Sequence, residues 1–325
     1  GKTLLFTPSF ISCSVFLKKL IIHKIFLMVV FMYCNLCPRN CGVDRTKTKG
    51  FCSAPSGVKA ARASLHLWEE PPISGKNGSG TVFFSHCNLK CVFCQNYKIS
   101  DGGFGMETDA HRLSEVFLHL AKLGASNINL VSPTPYTYEI IKALDLCRDK
   151  LEIPVVWNTG GYENTETLEL LRGYVDVFLP DFKYVTPSLA KKYSNAEDYP
   201  VYAAKALEKM LELAGVEEYG DDGMMKKGVI VRHLVLPSHS DESVKVLRFL
   251  KESFGADDYS LSLMRQYYPC HRAGEYKEIN RKLTTYEFGK VEKEAENLGF
   301  HGFSQDKGAD TDVYTPEFDL FGLNF

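Results

Sequence analysis

The sequence predicts an α/β fold: a parallel sheet curled into a partial (β/α)6 TIM-type barrel, preceded by a small N-terminal cysteine knuckle. Three observations predict it. From Thr81 onward, six apolar runs rich in β-branched residues alternate with amphipathic helical segments, as in a parallel sheet covered by its crossover helices. Such a sheet could lie open and doubly wound or close into a barrel. The glycine-rich dinucleotide fingerprint of the open form is missing after the first run, where cysteines stand instead. Polar residues also collect just past the apolar runs, where a barrel keeps its reactive groups.

The chain divides into four stretches. Residues 1–31 form an apolar extension, interrupted by His23 and Lys24, that reads either as an added segment or as sequence upstream of a true start at Met28 or Met32. Its unbroken apolar part is short for a membrane span. Residues 32–79 hold the knuckle and a linker. In the linker, Ser56 to Trp68 reads as a short helix with Val58, Ala61, Leu65 and Trp68 on one face. Glu69-Glu70 before Pro71-Pro72 reads as an acidic helix end at the surface, with some prospect of reaching the site because it feeds the first core strand.

The barrel is expected over residues 80–299. Thr81–Ser85 is its first strand, and Thr108 caps a helix that places Leu113, Val116, Phe117, Leu120 and Leu123 on one face. Strands follow at Ile128–Val131, Ile153–Trp157, Val175–Leu179, Gly228–Val231 and Tyr259–Leu263. Between them lie helices at 136–148, near 187–193, and at 199–214 and 240–253. The last helix, 284–297, opens with Thr284 and Glu287 spaced as a capping box. Residues 300–325 are expected to cover the barrel opening as an apron or to stay mobile.

With 325 residues and a formal net charge of -2, the chain can bury a large core and shows no basic surface that would call for nucleic acid. Seven of its ten cysteines fall in two compact groups. That usage suits a reducing cytoplasm, where thiolates stay free for metal.

The first group is Cys34, Cys37, Cys41 and Cys52, with Pro38, Gly42 and Gly50 supplying tight turns. Four thiols complete a site by themselves, so the expectation is structural zinc or an auxiliary iron–sulfur cluster. The second group is Cys87-x3-Cys91-x2-Cys94, directly after the first strand. Three thiolates fit three corners of a cubane iron–sulfur cluster and leave its fourth iron open for chemistry. Among the strand-end residues Ser132, Thr134, Asn158, Thr159, Asp181, Lys183, Arg232, His233 and Gln266, two are the firmest ligand candidates. The Asp181 carboxylate suits ribose hydroxyls or an ammonium, and the Arg232 guanidinium suits a carboxylate or phosphate.

The Cys-x3-Cys-x2-Cys loop resembles the signature of the radical S-adenosylmethionine superfamily. That resemblance implies a [4Fe-4S] cluster on Cys87, Cys91 and Cys94, with S-adenosylmethionine on the open iron and Phe93 beside the adenine. It also implies reductive cleavage to a 5'-deoxyadenosyl radical that abstracts hydrogen. A Gly-Gly-Glu-like segment usually follows strand two in the family; here Val131-Ser132-Pro133-Thr134-Pro135 stands there, so Thr134 or backbone carbonyls would take over its role. Asn158, Asp181 and Arg232 complete the expected cofactor contacts.

Several segments, among them Cys34–Arg45, Gly80–Ile99, Val155–Tyr162, Val177–Tyr184 and Val231–Pro237, resemble the pyruvate formate-lyase activating enzyme-like (PflX-like) proteins. This implies a reductant such as flavodoxin or ferredoxin and leaves a protein substrate open. The accessory cysteines precede the radical loop, whereas activases usually place theirs after it. The expected function is therefore hydrogen abstraction from an unidentified substrate. Glycyl-radical activation of a partner protein is one alternative, and a non-catalytic electron-transfer or metal-stabilised interaction protein is the other.

Overall fold

The computed structural model describes residues 33–311 and 314–324; the apolar extension predicted over 1–31 lies outside them. Ten strands form one sheet. In chain order they are β1 (Val58–His66), β2 (Ser79–Phe84), β3 (Met106–Thr108), β4 (Ile128–Val131), β5 (Val155–Thr159), β6 (Val177–Pro180), β7 (Glu218–Tyr219), β8 (Met225–Leu234), β9 (Ser260–Met264) and β10 (Gly302–Ser304). The order across the sheet is β10-β9-β8-β6-β5-β4-β2-β1-β3, with β7 paired to β8 at the side.

The pairs from β2 through β10 along this path are parallel, and β1 pairs antiparallel with both β2 and β3. The sheet does not close, which makes it a partial barrel. All six expected core strands are present, each displaced by no more than a few residues. Parallel β10 is added from the C-terminal stretch.

Nine α-helices flank the strands: α1 (Pro71–Ser74), α2 (Tyr97–Ser100), α3 (Ala110–Lys122), α4 (Thr137–Cys147), α5 (Thr165–Glu169), α6 (Pro187–Ser194), α7 (Tyr199–Ala214), α8 (Ser240–Phe254) and α9 (Thr285–Asn297), counted among the described residues. In α3 the stripe Leu113, Val116, Phe117 and Leu120 is buried, while Leu123 is exposed. Asp109, not Thr108, caps that helix, its carboxylate accepting from Arg112 N–H at 2.8 Å. The capping box of Thr284 and Glu287 forms at the start of α9. Among the described residues no helix is long and apolar enough to cross a membrane.

The linker helix expected over Ser56 to Trp68 is instead strand β1. Its alanines explain the difference. Ala60, Ala61 and Ala63 are all buried, so both faces of the strand are packed and small side chains let its neighbours approach. The pairing with β2 and β3, bulged between Ala60 and Arg62, overrides the helical preference of alanine. Leu65 and Trp68, placed on the supposed apolar face, are exposed.

One apolar core lies between sheet and helices, around Phe117, Trp157, Phe178 and Tyr199. A smaller one fills the lower barrel interior, where Ile73 packs with Val156, Val177, Leu179, Met225 and Ile230. Pro71 and Pro72 suit the first turn of α1, where no N–H is needed. This short helix therefore plugs the barrel floor, and burying Ile73 contributes about 2–3 kcal/mol. Directly before the plug come Glu69 and Glu70.

Candidate active site

The Cys87–Cys94 loop leaves the end of β2 and is held from several sides. Its Lys90 and Val92 N–H groups donate to the Ser194 and Tyr193 carbonyls at 3.3 and 2.9 Å, and the Val92 carbonyl accepts from Arg272 N–H at 2.8 Å. Asn88 Nδ2 donates to the Tyr162 carbonyl at 2.6 Å. His86, immediately before the loop, adopts φ 71°, a left-handed conformation that favours glycine. Burial, with Lys59 and Lys90 nearby, holds its imidazole down to about 4, so the ring is neutral.

Cys91, Phe93 and Cys94 open onto a cavity of about 500 Å³. Its opposite wall gathers groups from three strand ends: Asn158 of β5, Asp181 after β6 and Arg232 of β8. Arg232 is the hub. Its Nε donates to Asp181 at 2.9 Å and its Nη2 to Asn158 Oδ1 at 2.7 Å, while Nη1 lies 3.5 Å from Glu69. Lys183 Nζ binds the other Asp181 oxygen at 2.5 Å. Burial alone would raise the Asp181 carboxyl, but Arg232 and Lys183 outweigh it and keep the group below its ordinary range. Asp181 and Arg232 therefore face the cavity as charged groups, and two carboxylates, Glu69 and Asp181, balance two cations.

The other sequence candidates separate by place. Gln266 joins the cavity wall. Thr134 stands outside it, donating to the buried Glu163 carboxyl at 2.6 Å beside a second donor, Thr159. His233 is fully buried and pinned between the Phe182 carbonyl and Ser243 Oγ at 2.7 and 2.9 Å, a packing role. Gly161 meets a structural demand: at φ 78°, a Cβ there would stand 2.2 Å from the Asp181 carbonyl oxygen.

Glu69 and Glu70, read mainly as a surface helix end, both line the cavity. The available signal was their position, one short turn before the strand that carries the cysteine loop. The C-terminal stretch also reaches the cavity, with Gln305 and Tyr314 in its wall and Trp68 edge-on to Tyr314 at 4.9 Å.

The donor set fits the cluster that the motif implies. The three thiols are free of disulfides, and two of them face the cavity. Burial pushes the Cys87 and Cys94 thiols up to about 12 and raises that of Cys91. Thiols so placed ionise when a metal takes the proton's place. Ser194 and Ser100 hydroxyls lie 3.0 Å from Cys91 Sγ and 3.2 Å from Cys94 Sγ, where they can donate to thiolate sulfur. Among the described residues no three His, Cys, Asp or Glu side chains are gathered to hold a metal ion directly. A cubane brings its own irons and asks for thiols spread around a loop.

The second cysteine group forms a knuckle of tight turns. Asn40 N–H donates to the Cys37 carbonyl at 3.0 Å, Gly42 N–H to Cys34 at 2.9 Å, and Phe51 N–H to Cys41 Sγ at 3.3 Å. Cys37 and Cys52 are buried, and burial raises both thiols. Their surroundings differ from those of the loop: none of the four cysteines lines the cavity. A side chain of the knuckle reaches the loop. Arg39, inside the knuckle, lies over the Phe51 ring at 3.8 Å and donates from Nε to the Asn88 carbonyl of the radical loop at 2.9 Å.

Comparison with known proteins places these features. The family model described as the Radical SAM superfamily matches residues 81–250, from the first parallel strand through α8. The uncharacterized protein MJ0674 of Methanocaldococcus jannaschii is 34% identical over 276 residues, covering 82% of this chain and 75% of the relative. Among solved structures, Streptococcus suis SuiB bound to its precursor peptide SuiA aligns with a TM-score of 0.49 at 14% identity, covering 69% of this chain. Methylornithine synthase (PylB) aligns with a TM-score of 0.46 at 15% identity, covering 72% of this chain and 75% of that protein. The chain spans 47% of the SuiB structure it matches.

Proposed function

Because this chain belongs to the radical SAM superfamily, we propose that it is an enzyme that cleaves S-adenosylmethionine and abstracts hydrogen from a substrate held in the same cavity. The observation that carries this reading is the meeting of Cys91, Phe93 and Cys94 with Asn158, Asp181 and Arg232 across one cavity. An electron-transfer or interaction protein would have no need of a chamber lined with charged side chains beside the thiols.

Cys87, Cys91 and Cys94 would hold the cluster. When bound, the cluster and S-adenosylmethionine supply a 5'-deoxyadenosyl radical by reductive cleavage of the sulfonium. The chain's own residues do the rest. The loop contacts to Ser194, Tyr193 and Arg272 fix the three sulfurs in place. Phe93, buried and edge-on to Tyr267 at 6.1 Å, offers an apolar face for the adenine. Asp181 presents a charged acceptor for hydroxyl or ammonium groups, and Arg232 a donor array for a carboxylate. Because these charges are already paired, they are preorganised in a wall that excludes bulk water.

The knuckle is proposed as a second thiolate centre without substrate access. Its turns and the N–H donated to Cys41 Sγ support metal binding. Its thiols lie close enough to raise one another's pKa, and four of them suit either a structural zinc or an auxiliary iron–sulfur cluster. The activase-like resemblance extends this proposal to a flavodoxin or ferredoxin as reductant in the cytoplasm.

The direct test is anaerobic reconstitution, dithionite reduction and assay of 5'-deoxyadenosine. Formation of 5'-deoxyadenosine from S-adenosylmethionine is expected. A protein with a full complement of cluster iron that forms none would refute the reading.

A further inference from the structure

Among the charged groups of the cavity wall, Glu70 stands apart. It is 7% exposed and lines the cavity just above the α1 plug. Its neighbour Glu69 is committed to Asn158 and Arg232, and Arg232 and Lys183 share Asp181. Among the described residues the Glu70 carboxyl makes no ion pair, although Arg232 lies close enough to favour its charged form. Ser262, on β9, stands beside it and can donate to it. The Ser262 hydroxyl is fully buried behind Glu70, outside the cavity lining, and meets no other partner among the described residues.

Buried polar atoms are nearly always satisfied. A carboxyl held by a single hydroxyl at the floor of a chamber keeps acceptor positions that a ligand completes. The charges say which ligand. Glu69 and Asp181 are balanced by Arg232 and Lys183, so an ionised Glu70 adds one uncompensated negative charge. A cationic nitrogen bearing several N–H groups would neutralise it, donate to its open carboxyl positions, and remove the cost of burying the acid alone.

Resting on the radical SAM reading above, we propose that Glu70, backed by Ser262, forms the substrate-recognition floor of the cavity and selects a substrate bearing a guanidinium or primary ammonium group. The cysteine loop and the Asp181–Arg232 wall then serve the cofactor end. Glu70 serves the molecule that gives up hydrogen.

Agmatine, a small guanidinium compound, is the probe, with glutarate as its anionic counterpart. Isothermal titration of the anaerobically reconstituted holoenzyme, with saturating S-adenosylmethionine present, is expected to show saturable agmatine binding and no glutarate binding. Glu70→Gln should weaken agmatine at least tenfold, and Ser262→Ala by a smaller factor. If the Gln variant does not fold, Glu70→Asp keeps the charge while withdrawing it by one methylene, and should weaken agmatine by a measurable factor.

Three results would overturn the proposal: no agmatine binding, equal binding by wild type and Glu70→Gln, or displacement of agmatine by S-adenosylmethionine, which would assign Glu70 to the cofactor. The reading beneath it fails separately, when the same wild-type holoenzyme forms no 5'-deoxyadenosine.

Discussion

The two cysteine regions hold seven thiols within about sixty residues of sequence, and the fold treats them in opposite ways. The knuckle turns its cysteines inward on its own backbone, with Cys41 accepting from Phe51 N–H and no knuckle cysteine lining the chamber. The radical loop is tied by main-chain hydrogen bonds to distant elements, and turns Cys91 and Cys94 toward Asp181, Lys183 and Arg232. Thiolate spacing alone can announce a metal. What surrounds the sulfur decides whether the centre is sealed or reactive.

Removing a thiol on each side should break this contrast most strongly. Cys91→Ala leaves the loop with two ligands and should reduce 5'-deoxyadenosine formation by more than a thousandfold, while the knuckle keeps its metal. Iron and zinc counts beside the assay would check this, and full activity in Cys91→Ala would sink the ligand assignment. Cys41→Ala should instead lower the melting temperature and the metal content of the knuckle, with the primary cluster partly formed. Loss of the primary cluster alone, in a folded protein with an intact knuckle, would contradict the separation.

A smaller effect is expected from the wall. Asp181→Asn leaves Arg232 and Lys183 facing each other without their shared carboxylate. Removing one partner of a buried charge network costs about 3–5 kcal/mol in stability when the remaining charge is uncompensated. S-adenosylmethionine affinity, measured by equilibrium dialysis, should fall by roughly tenfold to a hundredfold. An unchanged affinity would remove Asp181 from the cofactor site.

The smallest effect concerns Glu163, which burial raises to about 7 despite donors from Thr134 and Thr159. Its pKa is higher folded than unfolded, so between the ordinary carboxyl range and pH 7 the folded state binds more protons, and its contribution to stability declines as pH rises. Glu163→Gln should therefore gain on wild type between pH 5 and pH 8, by up to about 3 kcal/mol. Denaturant titrations at the two pH values would check this; a constant difference would mean that Glu163 titrates normally.

Much of this was legible in the sequence. The parallel strands follow from period and β-branching, and the capping box at Thr284 and Glu287 from local chemistry. Asn158, Asp181 and Arg232 stood out because polar groups at successive strand ends have little reason to be there unless they line a cavity. What was not legible depended on long-range packing. Strand β1 has alanines that favour a helix and becomes a strand because β2 and β3 pair with it. Glu69 and Glu70 resemble a solvated acidic end, and only the insertion of Ile73 into the barrel floor carries them inward. Arg39 reads as an ordinary knuckle charge until the fold sets it against Asn88.

The central claim is that the Cys87, Cys91 and Cys94 centre is open to S-adenosylmethionine and the knuckle is not. Electron paramagnetic resonance of the reduced, reconstituted protein, with and without S-adenosylmethionine, tests it most directly when wild type and Cys91→Ala are compared. The account predicts a wild-type cluster signal that shifts with S-adenosylmethionine, and no such shift in Cys91→Ala. A wild-type spectrum unchanged by S-adenosylmethionine, or a shift that survives in Cys91→Ala, would contradict it.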